Sequence, residues 1–109
     1  MAFRMLDGVI STGPSESIAI RKRAKDHTVQ VTITGGPTSV TVDLEGSLDN
    51  INWFQLATNP FDAGELAAGG TLFHVDEKTV RFIRVNLTVL SGGTSPTVTA
   101  LYEAFEDRS

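Results

Sequence analysis

The chain has 109 residues, a formal charge of −4 and no cysteine. It is therefore expected to form one domain that buries roughly 60 to 70% of its unfolded surface without help from disulfides or thiolate chemistry. Thirteen acidic residues against nine basic ones speak against general nucleic-acid binding, which needs clustered cations to neutralise phosphates. The apolar runs fall far short of the ~20 residues that cross a bilayer, and no basic segment followed by an apolar stretch opens the chain, so neither a membrane nor a secretion signal is expected.

Residues 1–16 read as an extended N-terminal arm. Phe3, Met5 and Leu6 are apolar but follow no helical or strand period, and Gly8, Gly13 and Pro14 interrupt whatever might continue from them. Strands are expected from Ser17 onward, with Ile18 and Ile20 alternating. The basic run Arg21-Lys22-Arg23-Ala24-Lys25 then separates this strand from the next. In that next strand Val29, Val31 and Ile33 face one way and Thr28, Gln30, Thr32 and Thr34 the other, the period of a half-buried strand.

Gly35-Gly36-Pro37 supplies a turn, after which Val40, Val42 and Leu44 resume the alternation. Turn formers crowd Gly46 to Asn52, and Trp53-Phe54-Gln55-Leu56 reads as the far strand of a hairpin. Residues 58–70 make a long loop with one helical turn at Ala63 to Ala68, followed by a short strand from Thr71 to Val75. The longest strand runs from Val80 to Leu90, with Ile83, Val85, Leu87 and Val89 on its apolar face. A second Gly-Gly turn, Gly92-Gly93, leads to Val98, Ala100 and Tyr102 alternating with Thr99, Leu101 and Glu103. Glu106 to Ser109 is a polar tail.

Seven to eight short strands with turn signals between them predict an all-β, antiparallel β-sandwich or jelly roll covering residues 17–105, with a small closed barrel as the alternative. Each Gly-Gly turn is expected to fold its flanking strands into a hairpin, since glycine takes the positive φ such turns require.

Catalytic chemistry finds little footing. His27 and His74 lie near Asp26 and Asp76, but no Gly-x-Ser-x-Gly element exposes a nucleophile, and both histidines read as strand-end residues in contact with solvent. Asp43, Glu45, Asp49 and Asn50 bring oxygen ligands toward one turn without the spacing of a calcium loop, and zinc would need more His or Cys. No cofactor, metal or small-molecule substrate is expected. Asn86-Leu87-Thr88 matches a glycosylation acceptor but falls in mid-strand. Trp53, the sole tryptophan, is read as a core anchor; exposed instead, it would offer a face for sugar stacking.

Two groups remain for partner binding: Phe3, Arg4, Met5 and Leu6 of the arm, which suit an apolar groove on a neighbouring subunit, and Arg21, Lys22, Arg23 and Lys25, which suit an acidic protein surface.

Gly46-Ser47-Leu48-Asp49-Asn50-Ile51-Asn52-Trp53, then Arg81-Phe82-Ile83-Arg84, then Ser91 to Thr99 resemble, in that order, three elements of small tailed-bacteriophage virion proteins. The chain departs from that family at Asn50-Ile51, where a glycine would be usual. The resemblance implies a jelly-roll-like, non-enzymatic capsid decoration protein on the particle's exterior, present in host cytoplasm during assembly. Its implied partners are the major capsid protein and itself, as a homotrimer or similar ring. A second resemblance, of the same turn and the Arg81 to Arg84 strand to discoidin-type carbohydrate-binding modules, implies the alternative of a receptor- or glycan-binding module on head or tail.

Overall fold

A computed structural model describes residues 2–20 and 24–106. Among these, nine strands and one short helix follow in order: β1 (Phe3–Val9), β2 (Gly13–Pro14), β3 (Ile18–Ala19), β4 (Ala24–Thr34), β5 (Ser39–Ser47), β6 (Phe54–Pro60), α1 (Ala63–Ala68), β7 (Gly70–Val75), β8 (Phe82–Ser91) and β9 (Thr97–Glu106). They form two antiparallel sheets. Sheet A has the order β1-β9-β4-β7 and sheet B the order β2-β8-β5-β6, with β3 also paired to β8. The expected β-sandwich is the architecture found, with seven strands of useful length and two that are only two residues long.

The alternating positions meet between the sheets. Val29, Val31 and Ile33 of β4 and Val98, Ala100 and Tyr102 of β9 face Val40, Val42 and Leu44 of β5 and Ile83, Val85 and Leu87 of β8, all nearly sealed from solvent. Each valine or leucine buried this way contributes roughly 1.5–3 kcal/mol. On β8 the expected pattern breaks at one place. Val42 pairs with Leu87 but Thr41 pairs with Val89, so Thr88 is an extra residue in the ladder. A bulge of this kind reverses side-chain parity. Val89 is therefore 37% exposed, and Leu90 packs against the core in its place.

The two Gly-Gly turns do not close hairpins. β4 lies in sheet A and β5 in sheet B, and likewise β8 lies in sheet B and β9 in sheet A, so each turn carries the chain from one layer to the other. Period-two alternation states which face of a strand is buried and leaves its hydrogen-bonding neighbour open, which is why sequence suggested hairpins here. The turns also touch. Thr94 N–H donates to the Gly35 carbonyl at 2.8 Å, and a Cβ on Gly93 (φ 73°) would come within 2.4 Å of that same oxygen. By contrast, β5 and β6 form a true hairpin, as expected for Gly46 to Leu56. The helical turn expected at Ala63 to Ala68 is α1. Asp62 caps its first turn, reciprocated by Glu65, and Gly69 closes it at φ 84°.

The N-terminal segment is extended, but it belongs to the sandwich and does not stand apart as an arm. Phe3–Val9 is the edge strand of sheet A, paired with β9, and Gly13–Pro14 is a short edge of sheet B, paired with β8. Its aperiodicity has a cause: the β1 register shifts twice, between Arg4 and Leu6 and again before Val9, so no single alternation runs through it.

Candidate functional site: the loop end of the sandwich

Two loops meet at one end of the sandwich, residues 48–53 between β5 and β6 and residues 76–81 between β7 and β8. Arg81 N–H donates to the Ser47 carbonyl at 3.0 Å, and Val80 lies over Gly46, where any Cβ would sit 2.8 Å from a Val80 methyl. A second set of bonds ties the 76–81 loop to sheet A. Lys78 N–H donates to the Lys25 carbonyl at 2.9 Å, Glu77 N–H to the Asp26 carboxylate at 3.2 Å, and His27 Nε2 lies 2.7 Å from the Lys78 carbonyl.

The 48–53 loop is wired around Asp49. Its Oδ1 accepts from the Ser47 hydroxyl (2.9 Å), Ile51 N–H (2.9 Å) and Asn52 N–H (2.8 Å), and its Oδ2 accepts from the Asn52 amide at 2.8 Å. The Asn52 and Ile51 backbone donors, with the Asn52 and Ser47 side chains, hold this carboxyl well below the usual carboxylate range. Asn50 occupies the left-handed region at φ 62°, which asparagine is among the few side chains to tolerate.

This rigid frame presents apolar side chains to water. Leu48 is 71% exposed, Ile51 78% and Phe54 70%. Between the loops runs an open groove of about 420 Å³, walled by Leu48 and Phe54 and floored by Leu56 and Val80, with Asp49 on its rim. A neighbouring depression shares Leu48, Thr79 and Val80 and is bounded by Arg81. Sequence reading treated 48–52 as a turn and missed these tips; large apolar residues inside a stretch of turn formers were the available signal.

Five of the eight residues expected to bind partners are described: Phe3, Arg4, Met5, Leu6 and Lys25. Leu6 is buried in the chain's own core and is closed to another protein, while Met5 is partly buried against that core. Phe3 is half-exposed, and Arg4 pairs with Asp7 at 3.5 Å on the surface. Lys25 lies 3.8 Å from Glu77. Arg21, Lys22 and Arg23 lie outside the described residues, as do Met1 and residues 107–109 of the polar tail.

His27 is fully buried, contrary to the solvent contact expected of it, because β4 begins three residues earlier, at Ala24, and carries it inside the sandwich. Both ring nitrogens are engaged, Nδ1 by the Tyr102 hydroxyl at 2.6 Å and Nε2 by the Lys78 carbonyl; a serine is not among its partners. His74 is exposed, pairing with Asp76 and with the Thr28 hydroxyl.

Trp53 is half-buried on the outer face of sheet B. The Arg84 guanidinium lies 4.4 Å from its ring centroid, and Arg84 in turn donates to Glu45 at 2.6 Å. Asn86, of the glycosylation-like triplet, donates to the other Glu45 oxygen at 3.1 Å. Of the oxygen ligands weighed for calcium, Glu45 is engaged by Arg84 and Asn86, and Asp49 by its own loop. Asp43 is buried, with one carboxylate oxygen lacking a hydrogen-bond partner. Among the described residues no three acidic or histidine side chains converge on a metal position.

No protein-family model and no curated protein sequence matches the chain. Its fold is similar to that of solved structures. The SPBc2 prophage-derived protein YomS superposes with a TM-score of 0.60 at 12% identity, covering 94% of this chain and 90% of that one. The module CBM32-3 from a family 31 glycoside hydrolase of Clostridium perfringens gives 0.57 at 13% identity, over 88% and 76%. The C-terminal domain of a Bacteroides fragilis chitobiase gives 0.52 at 16% identity, over 78% and 58%. At these identities the shared property is the fold: the chain is a β-sandwich of the kind used by carbohydrate-binding modules and by a prophage-derived protein.

Proposed function

We propose that this chain is a non-enzymatic structural protein of a phage particle, a capsid decoration module that docks on the major capsid protein from outside. The observation that carries this reading is the loop end. Leu48, Ile51 and Phe54 are held in water by a turn whose hydrogen bonds are already satisfied, so little conformational entropy remains to be lost when a partner covers them. The overlay with a prophage-derived protein along nearly the whole of both chains supports the setting, as does the resemblance of three sequence elements to those of small phage virion proteins. Docking through a stiff surface replaces docking through a loose arm, since β1 is part of sheet A. Weak single contacts, repeated around a homotrimer or similar ring, would combine into firm attachment.

The test is composition of the particle. Gradient-purified particles of the phage that encodes the chain should contain it in many copies by quantitative mass spectrometry, and its absence from them overturns the reading.

One observation favours a second reading, a glycan-binding module. Trp53, Arg84, Glu45 and Asn86 form an aromatic and polar cluster on the outer face of sheet B. The guanidinium covers one indole face, which leaves less ring for a sugar to stack upon.

A further inference from the structure

The groove at the loop end has an apolar interior and unlike charges on its borders. Its floor and walls are Leu56, Val80, Leu48 and Phe54, while Asp49 stands on one rim and Arg81 bounds the adjoining depression. Neither charge is paired with an opposite charge among the described residues. Asp49 accepts only from neutral donors, and Arg81 is exposed and enters no ion pair among the described residues. An ionised side chain beside an apolar surface favours a partner that brings the opposite charge to it, because complementarity fixes register and disfavours wrong partners.

We infer that this groove receives a surface segment of the capsid protein, with an apolar side chain inserted between Leu48 and Phe54 and a carboxylate of that segment set against Arg81. The inference rests on the reading of the chain as a particle-bound module. Arg81 is the cleaner charge probe of the two, since its backbone N–H holds Ser47 whatever the side chain, whereas Asp49 builds the turn.

Capsid shells assembled without the chain provide the test, by co-sedimentation with the full-length protein and with Leu48→Asp, Phe54→Ser, Arg81→Glu and Leu72→Asp. Leu72 is 60% exposed on the outer face of sheet A and serves as the control. Circular dichroism and urea midpoints confirm that each variant is folded. Leu48→Asp and Phe54→Ser are expected to bind about tenfold more weakly and Leu72→Asp unchanged. Arg81→Glu should bind several-fold more weakly at ~50 mM salt, with the gap closing at ~500 mM as screening shortens. If the shells bind wild type and all variants alike, the groove is not the contact and only the particle reading survives; if they fail to bind wild type, that reading itself falls. If the chain alone forms dimers in sedimentation velocity and Leu48→Asp abolishes them, the occupant is a second copy and the inference is overturned.

Discussion

His27 and Tyr102 meet inside the sandwich, with imidazole Nδ1 2.6 Å from the phenol oxygen and the two rings stacked at 5.8 Å between centroids. The Lys78 carbonyl, 2.7 Å from Nε2, can only accept, so Nε2 carries the proton and Nδ1 receives the Tyr102 O–H. A residue of β4 thus links β9 to the 76–81 loop, and the neutral histidine is the form that accepts the Tyr102 hydroxyl. Burial lowers the imidazole's affinity for a proton, outweighing the Lys78 carbonyl and Asp26, which favour the charged form; His74 adds to the lowering. Burial likewise holds the Tyr102 phenol protonated well above its usual range.

That arrangement fixes the sign of a pH effect. The folded-state value lies below the ordinary 6.5, so the unfolded chain takes up the proton first. Stability is complete above that pH and falls as the solution is acidified through it, by up to about 1.4 kcal/mol per pH unit until the folded-state value is reached. Urea titrations between pH 5 and 8 should show this slope. His27→Gln should flatten it and cost about 1–3 kcal/mol at neutral pH through lost bonds to Tyr102 and Lys78.

The N-terminal strand makes a separate prediction. Leu6→Ala should destabilise the isolated chain by about 2–5 kcal/mol, the range for a buried leucine, whereas Phe3→Ala, at a half-exposed position, should cost under about 1 kcal/mol. Thermal or chemical unfolding of the two variants decides whether β1 is part of the domain in solution.

On β8 the bulge separates two residues that sequence alternation treats as equals. Leu87→Ala should cost about 2–5 kcal/mol and Val89→Ala under about 1 kcal/mol. Equal losses would place Val89 in the core and remove the bulge at Thr88.

For the 48–53 loop, Asn50→Gly should leave stability within about 0.5 kcal/mol, since glycine adopts φ 62° freely, whereas Asn50→Val should strain the turn. Asp49→Ala should raise the amide hydrogen-exchange rates of Ile51 and Asn52, whose N–H groups lose their acceptor. Unchanged exchange at both amides would mean that the carboxylate does not organise the loop.

The sandwich was legible because Val29–Val31–Ile33, Val40–Val42–Leu44 and Val98–Ala100–Tyr102 carry an unbroken period of two, which marks a buried face directly. Layer membership was not, because the Gly-Gly turns read the same whether they close a hairpin or cross between sheets. Leu6 escaped as a core residue because two register shifts hide its periodicity, and Val89 was misassigned because a single inserted residue leaves no mark in composition. At the loop end, the turn itself was readable from Asp49, Asn50 and Asn52. That Leu48, Ile51 and Phe54 would remain uncovered depends on how loops 48–53 and 76–81 are clasped, which is a tertiary property.

The contact between Arg84 and the single indole has a practical corollary. Trp53 sits at the foot of the 48–53 loop with a cation against its ring, so its emission is tied to the state of that loop. Displacing the guanidinium or shielding the ring from water would change the wavelength and intensity of its fluorescence. The molecule therefore carries a built-in optical gauge at the end where attachment is proposed, readable during binding or unfolding without any added label.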